Sequence, residues 1–187
     1  MEGDEFSVVR TDLDGYESAL RELLQDYFAE AEERAMEWFD DELSGADIEE
    51  EVASDLDRLA TAAIEEPLFL ALAGGGSTGT STSDEPRLVG NVQLKRLDET
   101  TAEVKRLYVV PEYRSEGLGR RLMEAVLDGA AEDGFETLRL GVGPYLETAR
   151  SLYEDLGFEY TPPYDETGAP EEIHDEWRFM RLSLDDS

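Results

Sequence analysis

The chain has 187 residues, 40% of them hydrophobic, with no cysteine and one histidine, which excludes disulfides, a cysteine nucleophile and thiolate or multi-histidine metal sites. Its 47 acidic residues against 16 basic ones leave a net charge of -31, which disfavours nucleic acid as a partner. Lysines are scarce, Lys95 and Lys105 alone; at molar salt the Debye length falls to about 3 Å, so this surface suits a salt-rich cytosol such as that of a halophilic archaeon.

No run approaches the roughly 18 consecutive apolar residues of a membrane span, and Met1 to Phe6 is acidic rather than signal-like. The expectation is a cytoplasmic protein with no membrane partner, and one domain over 1–187. Phe6 to Val9 reads as a first strand, and Asp14 with Glu17 reads as a capping arrangement that opens a helix. Leu20, Leu23, Leu24, Tyr27, Phe28 and Ala31 give that helix one apolar face. A second helix is expected over Asp55 to Ile64, closing an N-terminal helical part of about 14–66, and Pro67 precedes a strand at Leu68 to Ala73. Gly74 to Pro86 is rich in Gly, Ser and Thr and reads as a mobile hairpin loop.

Strands follow at Leu88 to Leu97 and Ala102 to Val110, the second halted by Pro111. Leu118, Leu122 and Val126 beside Met123, Leu127 and Ala130 make Leu118 to Ala130 a helix, which Gly134 ends. Thr137 to Val142 is a strand, Leu146 to Leu156 a helix closed by Gly157, and Glu176 to Leu184 a final strand. The order is mixed α/β.

The window from Lys105 to Arg121 holds Lys105, Arg106, Arg114, Arg120 and Arg121 against Glu112 and Glu116, a net +3 inside a chain of -31. It contains R-S-E-G-L-G, Arg114 to Gly119, after a strand and at a helix start, where N–H groups are free and the dipole is positive. Gly117 and Gly119 let the backbone approach a pyrophosphate, and Arg120 adds a charged donor. The spacing matches neither the dinucleotide nor the P-loop pattern.

Arg114, Gly117 and Gly119, led by L-Y-V-V-P-E-Y (Leu107 to Tyr113) and followed by L-Y-E-D-L-G-F (Leu152 to Phe158), resemble the two signatures of the GNAT superfamily of N-acetyltransferases. The longer run A-E-V-K-R-L-Y-V, Ala102 to Val109, and Pro162 to Tyr164 resemble small bacterial and archaeal members. The resemblance covers Leu68 to Leu184, with core motifs at 102–130 and 146–158. It implies a mixed, mostly antiparallel sheet flanked by helices and splayed open between the strand ending at Val110 and the strand Thr137 to Val142. Acetyl-CoA is the implied co-substrate, with no metal, and an amine the implied acceptor. The implied cofactor contacts are Leu107, Tyr108 and Val109 for pantetheine, and Arg114, Ser115, Glu116, Gly117, Leu118, Gly119 and Arg120 for the pyrophosphate. The Val109 N–H is the implied oxyanion donor.

Tyr153 matches the tyrosine that protonates the departing thiolate in many members. Glu103, six residues before Val109, matches a general-base glutamate, and strand alternation places it on one face with Lys105, Leu107 and Val109. Leu146 and Gly141 stand where peptide-modifying relatives carry asparagine and glutamate. His174 reads as a loop residue, and Tyr164 and Trp177 as pocket or core residues. The leading expectation is direct acetyl transfer to a primary amine in a ternary complex. Two other readings stay open: a non-catalytic acyl-CoA binding or sensing module, and an acidic interaction protein. A homodimer is a further expectation.

Overall fold

A computed structural model describes residues 6–39, 47–61, 66–74, 86–164 and 171–184. In chain order the elements are β1 (Phe6–Thr11), α1 (Glu17–Phe39), α2 (Ile48–Thr61), β2 (Leu68–Ala73), β3 (Arg87–Arg96), β4 (Thr101–Val109), α3 (Leu118–Glu132), β5 (Thr137–Val142), α4 (Glu147–Asp155), β6 (Glu159–Thr161) and β7 (Arg178–Ser183). The strands form one seven-stranded sheet in the order β1-β2-β3-β4-β5-β7-β6. Every neighbouring pair is antiparallel except β4 with β5.

The apolar periodicity places the helices. Leu118, Leu122, Met123, Val126 and Ala130 of α3 are buried against one face of the sheet, together with Phe69, Val92, Val104 and Leu138. Leu20, Leu23 and Leu24 of α1 and Val52, Leu56 and Leu59 of α2 cover the other face, on Leu68, Leu70, Leu72 and Tyr108. β2 is buried on both faces, which is why it reads as a continuous apolar run. Gly129 lets α3 approach the sheet, since a Cβ there would lie 2.7 Å from the Phe69 ring.

Three local expectations change. Asp14 does not cap α1: its N–H donates to Asp12 at 3.0 Å, the chain turns at Gly15, and the Tyr16 carbonyl accepts the first helical bond from Leu20. α2 begins at Ile48 rather than Asp55, and β6 escaped notice because three residues carry no period. The expected loop falls at 75–85, outside the described residues.

A further change is a bulge in β4. Asn91 pairs with Tyr108 and Gln93 with Lys105, so β4 carries one residue more than β3 between them. Arg106 takes φ 61, in the left-handed region, and its carbonyl accepts the Asn91 amide at 2.9 Å. Its guanidinium reaches back to α2, with Nε 2.8 Å from Asp55, and lies 4.6 Å from the Phe28 ring centroid of α1. Asp55 is only 5% exposed. Asp55→Ala takes from this mostly buried arginine its nearest carboxylate, leaving Glu51 at 3.9 Å, and is expected to cost about 2–3 kcal/mol in denaturant unfolding at molar salt. Arg21→Ala, at the exposed Arg21–Glu17 pair, is expected to cost less than about 0.5 kcal/mol.

Candidate active site

The site begins where the sheet stops being a sheet. β4 and β5 pair only over Thr101–Thr137, Ala102–Leu138 and Glu103–Arg139. Beyond that the strands diverge, and β4 from Val104 to Val109 has no strand on its β5 side. Its edge N–H and C=O groups are therefore open to a ligand that can pair like a strand. Val110 donates to Val89 across β3 at 2.9 Å, so alternation turns the Val109 peptide the other way, into the fork. The Val109 carbonyl accepts Arg114 Nε at 2.8 Å, which leaves the Val109 N–H as the group offered there. Leu107, two residues back, faces the same way. Tyr108 does not: its ring is buried against α1, 5.9 Å from Tyr27.

After β4, Pro111 to Tyr113 make one 3-10 turn and the chain enters α3 through two left-handed residues, Ser115 (φ 77) and Gly117 (φ 79). Alternating backbone handedness of this kind makes a concave nest of N–H groups. Among the described residues no N–H from Ser115 to Arg120 donates a hydrogen bond, and Gly117, the N-cap of α3, receives no side-chain cap. These donors, the helix dipole and the open fork edge fit a pyrophosphate joined to a pantetheine arm.

The cations of this window are engaged by other groups of the protein rather than gathered around the nest. Lys105 lies 3.5 Å from Glu103, Arg106 is held by Asp55, Arg114 by Glu30 at 2.8 Å and Arg120 by Asp155 at 3.0 Å. Arg121 donates to the Phe6 carbonyl. Four of the five cations thus face carboxylates, and among the described residues the donors of this window left without a partner are the backbone N–H groups. Arg114 in particular turns away from the nest: both terminal nitrogens grip Glu30 of α1, its Nε holds Val109, and its guanidinium covers the Tyr108 ring at 5.2 Å. It clasps α1 to the end of β4.

The bulge also overturns the facing of Glu103. Ala102 and Val104 pack with Leu107 and Val109 on the α3 side, so Glu103 and Lys105 point to the α1 side. Glu103 sits at the base of the fork, 4% exposed, and its Oε2 accepts the Tyr164 hydroxyl at 2.6 Å. Its Oε1 accepts no hydrogen bond and has the Lys105 ammonium at 3.5 Å. Burial, then the neighbouring Arg106, lowers the Lys105 pKa, while Glu103 opposes them. Four strand steps separate Glu103 from Leu107 and six from Val109, at most about 13 and 20 Å at the extended rise.

Tyr153 of α4 lies on the α3 side, 7% exposed and packed against Phe158 at 5.8 Å. Burial pushes its phenol well above the usual range, and Tyr27 of α1 adds to this. Tyr145, after β5, is pushed up to about 12 by burial and again by Tyr27. Tyr27, Glu30 and Tyr145 were missed in the sequence, where they read as helix-face and loop residues. His174 packs edge-on to Phe179 at 5.3 Å, in a turn as expected.

The sheet is open and mostly antiparallel, and it forks beside an N–H nest at a helix start. The chain belongs to the acetyltransferase (GNAT) family, whose model matches residues 18–158. It is 30% identical over 99 residues to the uncharacterized N-acetyltransferase YsnE of Bacillus subtilis, covering 52% of this chain and 66% of that one. Other curated relatives, including human N-acetyltransferase 8, match over less than half of their own length. The fold is shared with a GNAT-family acetyltransferase of Staphylococcus aureus (TM-score 0.67, 17% identity, 96% and 99% of the two chains). It is also shared with the PaiA N-acetyltransferase of Thermoplasma acidophilum in complex with coenzyme A (TM-score 0.62, 18% identity, 96% and 99%). Among the described residues no helix is long and apolar enough to cross a membrane, and no group of three metal-ligating side chains occurs.

The Arg114 hydrogen bond holds the Glu30 pKa below the usual carboxylate range, against the effect of burial. A lowered folded pKa stabilises above the unfolded value, about 4.3 for glutamate, and the gain is lost as pH falls through the folded value. Wild type is therefore expected to be more stable than Glu30→Gln at neutral pH and to lose that advantage below about pH 4. Thermal unfolding across pH checks this, and a gap constant with pH would contradict it.

Proposed function

We propose that this protein is an acetyl-CoA-dependent N-acetyltransferase that acetylates a primary amine directly, in a ternary complex and in a salt-rich cytoplasm. One observation carries the reading: an unpaired β4 edge leads directly into six N–H groups that have no partner among the described residues. Acetyl-CoA supplies the activated acyl group as a thioester. The nest from Ser115 to Arg120 holds its pyrophosphate, and Leu107 and Val109 hold its pantetheine arm as a neighbouring strand would. The Val109 N–H, kept in place by Arg114, donates to the acetyl carbonyl as charge develops on its oxygen.

Glu103 takes the proton of the attacking amine. Its buried Oε1 has no hydrogen-bond partner among the described residues, and its depth at the fork base calls for a water to relay that proton. A C–N bond forms as the C–S bond breaks, and Tyr153 gives its phenolic proton to the departing sulfur. The raised Tyr153 pKa keeps that proton on the phenol throughout the physiological range. The family match over residues 18–158, which include the nest, and the fold neighbour in complex with coenzyme A support this reading.

Calorimetric titration of acetyl-CoA at molar potassium chloride is expected to show binding that Gly117→Glu abolishes. Gly117 has left-handed φ, and a carboxylate there adds strain and like charge. A folded wild type that binds no acetyl-CoA would overturn the proposal. Tyr153→Phe is expected to lower kcat about 100-fold while acetyl-CoA affinity stays within about twofold. Retained binding with no turnover in wild type, across a broad amine panel, would make the protein a sensing module instead.

A further inference from the structure

A cleft of about 720 Å³ runs between α1 and the loop after β5, lined by Ala29, Glu30, Glu33, Arg34, Glu37, Trp38 and Tyr145. Its carboxylates alone would mean little in a chain this acidic. The aromatic rings are different, because a surface adapted to salt gains nothing from exposing them. Trp38 is 51% exposed, yet it belongs to an ordered row: its ring centroid lies 6.1 Å from Tyr145, which lies 6.3 Å from Trp177.

The row is built into the sheet end by two glycines. A Cβ at Gly141 would lie 2.9 Å from the Trp177 indole nitrogen, and one at Gly143 would lie 2.6 Å from the Tyr145 ring. Both rings therefore seat against bare backbone, where any other residue would displace them. The row also points at the chemistry. Gly141 stands two residues beyond Arg139, the register partner of Glu103, on the same face of β5. A row of aromatic rings thus runs from the β5 face that Glu103 shares with Arg139 out to Trp38.

Two of the four charges that line the cleft have no ion-pair partner among the described residues. Glu30 is engaged by Arg114 and by Arg34, but among the described residues Glu33 and Glu37 make no ion pair. Aromatic faces attract cations, and a carboxylate beside them strengthens the site and selects its sign. A monoamine that is neutral when it attacks leaves nothing for these groups to hold.

We infer that the acceptor is an aliphatic diamine or polyamine: one amine reacts at the fork while a second, still protonated, is held along Trp177, Tyr145 and Trp38 by Glu33 and Glu37. This rests on the acetyltransferase reading and names its substrate class. Putrescine, butylamine and γ-aminobutyrate test it, since they share one carbon chain and end in an ammonium, a methyl and a carboxylate. Initial rates are measured at saturating acetyl-CoA in molar potassium chloride, where the Debye length of about 3 Å removes general surface attraction.

The expected kcat/KM for putrescine exceeds that for butylamine at least tenfold, and γ-aminobutyrate falls below both. Trp38→Leu, at a half-exposed position outside both cores, is expected to bring the putrescine-to-butylamine ratio toward unity, as is Glu33→Gln with Glu37→Gln. Equal kcat/KM for putrescine and butylamine, a preference for γ-aminobutyrate, or turnover of none of the three with acetyl-CoA bound would overturn the inference and leave coenzyme binding standing. Failure to bind acetyl-CoA would sink the parent reading as well.

Discussion

The site depends on an interruption of hydrogen bonding. β4 and β5 begin as a parallel pair and separate after Glu103, although both strands continue. Backbone groups left open inside a sheet are costly unless something pairs with them, which makes the diverging β4 edge the most reactive backbone of the sheet toward an extended partner. The divergence is braced from both sides. β4 stays paired to β3 and β5 to β7 along their lengths, while α3 and α4 cover one face and α1 the other. A ligand there meets edges that are already positioned, which reduces the ordering cost of binding.

The bulge at Arg106 decides what that ligand meets. With one extra residue in β4, the alternation resets between Lys105 and Leu107. The apolar residues on both sides of the bulge then share the α3 face, while Glu103 and Lys105 turn toward α1. Without it, either the carboxylate would enter the apolar core or Leu107 and Val109 would leave it. The conformation is maintained by Asp55 of α2, the Asn91 amide and the aromatic rings of α1. The N-terminal helices thus brace the fork: α2 holds the bulge through Arg106, and α1 holds the end of β4 through the Arg114 clasp on Glu30.

The distribution of the few basic side chains follows from the same economy. In a chain with three acids for every base, an exposed arginine finds a carboxylate nearby, and side-chain attraction for phosphate is both contested and screened at high salt. Backbone N–H groups cannot be neutralised in this way. They point where the turn through Ser115 and Gly117 aims them, and their short-range hydrogen bonds survive salt that screens long-range charge. The nest therefore suits a strongly acidic protein better than an arginine cluster would.

Much of this was legible in the sequence because it depends on neighbours along the chain. The 3.6-residue rows of α1 and α3, the apolar run of β2, the stop at Pro111 and the R-x-x-G-x-G turn are local features that backbone sterics and burial translate directly into elements. Tyr153 and Glu103 were nameable because family motifs mark their positions. Which way Glu103 faces was not readable, because a bulge is the difference between two strand lengths and needs the β3 partner to define it. Nor was the fate of Arg114, whose partner Glu30 lies in a helix that the sequence places only against some sheet. Trp38, Tyr145 and Trp177 are far apart in the chain, and only the seating of two rings on Gly141 and Gly143 joins them. Local order and composition belong to the sequence; facing, pairing and convergence were decided by the tertiary structure, because each requires two segments to meet.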